Sequence, residues 1–99
     1  MTLHFSTGAS EDLVQHLTYL GEQSKQAQLD FYNELNGALE LISGYPEISP
    51  KVRGGIHRFT ILRFSIGVYY TVGPEKLVTI ISLLHLKSNP DKINERITK

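Results

Sequence analysis

The chain contains no cysteine in its 99 residues. Neither disulfides nor thiolate metal sites can hold it together, and it suits a reducing cytosol. No apolar run approaches the roughly 20 residues that a membrane span needs. The opening stretch, MTLHFSTGASEDL, lacks a basic region followed by an apolar one, so no signal peptide is read and a cytoplasmic protein is expected. There is no low-complexity tract and no internal repeat, and the composition is that of an ordinary soluble globular protein. A chain of this length makes one small domain, residues 1–99, which buries about two-thirds of its unfolded surface.

Most catalytic signatures are missing too. There is no cysteine nucleophile, no GxSxG elbow and no defensible Ser/His/Asp spacing. The phosphate-cradling loops GxGxxG and GxxxxGK[ST] are absent. The four histidines, His4, His16, His57 and His85, show neither HxH nor HExxH spacing. His4 and His85 meet only if the first and last strands pair, and two ligands without nearby acids make a poor site. No metal and no cofactor are called for.

What the chain has is a charge asymmetry hidden under a net charge of zero. Residues 1–50 hold one cation, Lys25, and seven acids, a balance of −6; residues 51–99 hold nine cations and three acids, a balance of +6. Such a split suits an anionic partner for the second half. It suits equally well two halves that attract each other once folded.

Read in order, residues 2–6 alternate Leu3 and Phe5 against polar neighbours, the pattern of a strand with one buried face. A helix is expected to begin between Gly8 and Ser10, with Glu11 and Asp12 in a first turn whose dipole favours negative charge. Leu13, Leu17 and Leu20 form its apolar stripe. Ser24 is a good N-cap for a second helix, whose inner face is Ala27, Phe31, Leu35, Ala38 and Ile42. Gly44 stands where a left-handed residue closes a helix, and Pro46 follows as a stop. Residues 9–43 therefore read as a helical hairpin, apolar inside and acidic outside. Residues 45–55 read as a loop, because Pro46 and Pro50 do not fit a strand interior.

Three strands follow: Ile56 to Ile61, Ile66 to Val72, and Leu77 to His85. Leu62 to Ser65 makes the first reversal, and Gly73-Pro74-Glu75-Lys76 makes a hairpin loop. The last strand is apolar on both faces, which places it centrally in the sheet. Asp91 to Ile97 suits a short terminal helix, within a tail of about 91–99. The order strand, helix, helix, strand, strand, strand implies an α+β two-layer sandwich, β-α-α-β-β-β, with the helical hairpin on one face of a mainly antiparallel, curved sheet. The other face is expected to stay open.

Candidate site residues concentrate in the second half. Lys51 and Arg53 make the loop before the sheet basic. Arg58 and Arg63 can pair with phosphate or with a partner's carboxylates. Tyr69-Tyr70 places one ring on each face, so one packs in the core and the other stands on the open face, available to anchor a partner. His85 and Lys87 end the last strand. His85 reads either as an acid, base or phosphate contact or as a strand-end histidine bonded to backbone.

The segments Tyr45-Pro46-Glu47-Ile48, Gly55-Ile56-His57-Arg58-Phe59, Val68-Tyr69-Tyr70-Thr71-Val72 and Leu84-His85 leading to Asn89-Pro90 resemble, in order and spacing, the bacterial ParE/RelE toxin superfamily of type II toxin–antitoxin modules. The resemblance runs from Phe5 to about Pro90. It implies a toxin neutralised by a cognate antitoxin that wraps it, and one of two activities. RelE-like members cleave mRNA in the ribosome with basic residues and often a late Tyr or His; ParE-like members inhibit DNA gyrase. Where RelE-like chains carry an arginine before the hydrophobic-Tyr pair, this chain has Gly67, and Ser88 stands where another basic residue is common. The ParE-like reading, a toxin that binds gyrase, is therefore preferred, with Lys51, Arg53, Arg58, Arg63, Tyr69, Tyr70 and Lys87 as residues that bind the target or the antitoxin. The alternatives are a ribosome-dependent nuclease working with Arg58, Arg63, His85 and Lys87, and a member that keeps only antitoxin binding.

Overall fold

In the computed structural model, which describes residues 3–97, two long helices are joined by a single residue, Ser24. The elements are β1 (Leu3–Phe5), α1 (Thr7–Gln23), α2 (Lys25–Gly44), β2 (Lys51–Arg53), β3 (Ile56–Ile61), β4 (Ile66–Val72), β5 (Val78–His85) and α3 (Pro90–Ile97). Ser24 closes α1 by donating its backbone N–H to Leu20, at 2.8 Å, and opens α2 by accepting the Ala27 N–H on its hydroxyl, at 3.2 Å. At the same corner Gly21 leaves room for Gln28, whose amide donates to the Leu17 carbonyl at 2.8 Å; a Cβ on Gly21 would lie 2.5 Å from that amide nitrogen.

Helix α1 starts earlier than its sequence suggests. Ser6 is its N-cap, not part of the strand, and accepts the Ala9 N–H at 3.1 Å. Asp12 therefore falls past the first turn and is buried rather than aligned with the helix dipole. Gly44 is helical, without the left-handed φ expected of it; Tyr45 ends α2 through its N–H to Leu41, at 2.8 Å. Of the residues expected in the first strand and the terminal tail, Thr2, Thr98 and Lys99 lie outside the described residues.

The sheet order is β1-β5-β4-β3-β2, with β1 parallel to β5 and the other pairs antiparallel. The loop expected over residues 45–55 holds an additional strand: Pro50 precedes β2 instead of interrupting it, and β2 forms an edge, where a short strand tolerates a neighbouring proline. The reversal without glycine or proline is a 3₁₀ turn, Leu62–Phe64, closed by Ser65 in the left-handed region at φ 54°. His4 stands opposite Thr79 rather than His85, so those two histidines do not meet.

The core lies between the hairpin and one face of the sheet. Phe31, Leu35, Ala38 and Ile42 of α2 meet Ile61, Ile66, Val68, Tyr70, Val78, Ile80 and Leu83. Each large apolar side chain so buried contributes roughly 1.5–3 kcal/mol. The α+β two-layer architecture is thus the one the element order implies. The second sheet face is not open, however: α3 folds back over part of it. Among the described residues no helix is long and apolar enough to cross a membrane.

Candidate interaction surface

Strand alternation sorts the sheet residues into two sets. His57, Phe59 and Ile61 of β3 and Ile66, Val68 and Tyr70 of β4 face the helical hairpin. Arg58, Gly67 and Tyr69 face the other way, with Arg58 opposite Tyr69 and Tyr69 opposite Ser82 across β3, β4 and β5. Helix α3 roofs this row. Beneath it lies a cavity of about 370 Å³, bounded by Val52, Arg58, Tyr69 and Leu86 on the sheet side and by Ile93 and Ile97 of α3.

Gly67 is the close-approach point of this face. A Cβ there would sit 3.0 Å from Arg58 Cδ, from Tyr69 Cε1 and from Leu86 Cδ2. The space in which a larger side chain would start is already filled by the Arg58 stem and its neighbours. Tyr69 is the member of the pair that turns away from the core, and it is only 1% exposed, so neither tyrosine stands on an open face. Its hydroxyl and that of Ser82 are buried without a hydrogen-bond partner, which makes this the least satisfied polar spot among the described residues.

Tyr70 lies in the core and donates its hydroxyl to the Pro46 carbonyl at 2.8 Å. His57 stacks on the Tyr70 ring, with centroids 5.0 Å apart, and donates Nδ1–H to the Ser49 carbonyl at 2.7 Å. These two side chains pin residues 46–49 to the sheet from beneath. Tyr45 and Ile48 stay exposed at the mouth of a second cavity, which Val72 and Lys76 also line.

The basic candidates separate. Lys51 and Arg53 are exposed on β2, and Lys87 is exposed after β5. Arg58 is half-buried on the roofed face. Arg63 belongs to the opposite side: it reaches α2, bonding Asp30 at 2.9 Å and Glu34 at 3.3 Å, over the Phe64 ring. The Gln26 amide and then the Arg63 guanidinium hold the Asp30 carboxyl below its ordinary pKa. His85 accepts the Lys87 backbone N–H on Nδ1 at 3.2 Å, as a strand-end histidine does, and lines a third cavity with Asp12, His16, Lys92 and Arg96. Arg58 and His85 thus line different cavities.

That third cavity contains the residues sequence reasoning passed over. Beyond β1 the outer edge of β5 is unpaired by strand, and side chains take its place. The Ser6 hydroxyl donates to the Ile81 carbonyl at 3.2 Å, Asp12 accepts the Leu83 N–H at 3.0 Å, and His16 Nε2 donates to the Leu83 carbonyl at 2.7 Å. Arg96 of α3 then bonds Asp12. Asp12 and His16 share a face of α1 at i, i+4, which was the one local signal available.

The ion pairs Arg63–Asp30, Arg63–Glu34 and Arg96–Asp12 join cations of the second half to acids of the first. Mutual attraction of the halves accounts for these. Lys51, Arg53, Arg58 and Lys87 carry no ion pair among the described residues.

Solved structures share this fold. A chain of the chromosomal ParDE TA system from P. aeruginosa superposes with a TM-score of 0.72 at 15% identity, over 88% of this chain and 97% of that one. The isolated E. coli RelE toxin superposes with a TM-score of 0.61 at 22% identity, over 97% of each chain. No family model and no curated protein matches the sequence. The fold is that of the ParE/RelE toxins.

Proposed function

We propose that the chain is the toxin of a type II toxin–antitoxin module, that it acts in the ParE manner by binding its target, DNA gyrase, and that a cognate antitoxin holds it inactive. The fold supports the toxin reading. The observation that carries the choice of binding over cleavage is the crowding at Gly67, where a side chain would start 3.0 Å from the Arg58 stem, Leu86 and Tyr69 and would have to displace them. Cleavage of RNA through its 2′-hydroxyl needs a base, an acid and cations around one phosphate. Here Arg63 is engaged with α2 and His85 lines a different cavity from Arg58. The cations Lys51, Arg53, Arg58 and Lys87, which have no ion pair among the described residues, are the contact residues of the proposal.

One observation favours the ribosome-dependent nuclease as a second reading: Tyr69, whose buried hydroxyl has no hydrogen-bond partner, lines the same cavity as Arg58. Expression of the chain alone in a bacterial host tests the toxin reading. Growth arrest, relieved by co-expression of a short acidic protein encoded in the neighbouring frame, is expected. Unimpaired growth at high expression would leave only a non-toxic protein of this fold.

A further inference from the structure

The loop that follows α2 and the turn between β4 and β5 together enclose a cavity of about 580 Å³. Tyr45, Pro46 and Ile48 line it from the loop, and Val72 lines it from the end of β4. The loop is held in place. The Pro46 carbonyl accepts the Tyr70 hydroxyl, the Ser49 carbonyl accepts the His57 ring N–H, and the Ile48 N–H bonds the Tyr45 carbonyl at 2.9 Å. The cavity is therefore built into the fold, and its size is that of a small-molecule site. Charge of each sign stands on a different element around it. Lys76, on the β4–β5 turn, has no ion pair among the described residues. It and Glu75 lie in the left-handed backbone region, at φ 61° and 55°, which residues other than glycine seldom adopt and which recurs at ligand sites. Glu47, on the loop, stands 3.8 Å from His57 Nε2. The neutral His57 ring gives its one N–H to Ser49 and has none left for Glu47. The C-terminal end of α2, at Gly44, adds partial negative charge beside Glu47.

We propose that this cavity binds a free apolar dipeptide, a zwitterion whose two ends answer the two charges. Its ammonium meets Glu47 and the end of α2, its carboxylate meets Lys76, and its side chains pack against Tyr45, Ile48 and Val72. Charge selects this ligand. An apolar anion would satisfy Lys76 and be repelled by Glu47, and an apolar cation would do the reverse. An internal segment of a protein carries neither terminal charge. Size agrees, since a cavity in the drug-sized range has more room than a single amino acid fills. The proposal uses none of the cations assigned to gyrase contact and stands without the toxin reading.

The test titrates the full chain, labelled with ¹⁵N, with the dipeptide phenylalanyl-leucine and follows the backbone amide signals. Millimolar peptide should move the signals of residues 44–48 and 72–76, and glycylglycine, which has no apolar body, should not. N-acetylation, which removes the ammonium, and C-amidation, which removes the carboxylate, should each weaken binding about threefold. Glu47 and Lys76 are exposed, so Glu47→Gln and Lys76→Gln should fold as the parent does. Each variant should erase one penalty: Glu47→Gln that of acetylation, Lys76→Gln that of amidation. Unmoved signals in the two segments would overturn the proposal, and so would penalties that persist in the variants. Equal binding of the doubly blocked dipeptide would overturn it in favour of a protein segment. Movement of the same signals when the chain alone is concentrated would overturn it in favour of a second copy.

Discussion

One nitrogen of Arg96, Nη2, bonds both carboxylate oxygens of Asp12, at 3.0 and 2.9 Å, and so ties α3 to α1 across the edge of β5. Asp12 also accepts the Leu83 N–H, so one buried carboxylate satisfies a sheet edge and fastens a helix. Asp12→Ala strands both the Leu83 N–H and Arg96, and should cost about 2–3 kcal/mol. Arg96→Leu leaves the Leu83 bond in place and should cost less. Urea unfolding of the two variants measures the difference; equal losses would show that the Leu83 bond contributes nothing.

The adjacent tyrosines respond in opposite ways. Tyr70→Phe removes the bond to the Pro46 carbonyl and should cost about 1–2 kcal/mol. Tyr69→Phe removes a buried hydroxyl that has no partner, so stability should hold or rise by up to about 1 kcal/mol. Thermal unfolding of both variants checks the contrast, and a Tyr69→Phe loss as large as that of Tyr70→Phe would contradict it.

Gly67→Ala should destabilise by about 1 kcal/mol, through crowding of a packed site. The new methyl would stand 3.0 Å from atoms of Arg58, Tyr69 and Leu86, and the buried Tyr69 ring has least freedom to move. Gly67→Arg should cost more and should not restore RNA cleavage. Denaturation midpoints with unchanged m-values test the first statement, and a ribosome-bound mRNA cleavage assay tests the second.

The Arg63–Asp30 contact has a signed pH dependence. The Asp30 pKa is lowered in the folded state, so its contribution is complete above the unfolded value, about 4, and is lost as pH falls through the folded value. The contact is exposed and its effect small. The stability gap between the chain and Arg63→Gln should be present at neutral pH and close in acid. A gap that widens on acidification would contradict the assignment.

Much of the fold was legible because its signals are local and periodic. The stripe Phe31, Leu35, Ala38 and Ile42 named the inner face of α2, and the alternation in β3 put His57 with Phe59 and Ile61. Strand β2 was missed because three residues beside a proline give no period to read. The site was less legible. One tyrosine of the Tyr69-Tyr70 pair was expected on the face away from the core, but not which one, and nothing local says that α3 returns to cover it. Arg63 and Asp30 are 33 positions apart, and Asp12 and Arg96 are 84 apart, so only the tertiary structure joins them.

Action by binding is tested most directly on DNA gyrase itself. Purified chain added to DNA gyrase should block supercoiling or trap cleaved DNA, while ribosome-bound mRNA stays intact at the same concentration. Unaffected gyrase at excess chain, together with mRNA cleavage abolished by Arg58→Ala, would contradict it.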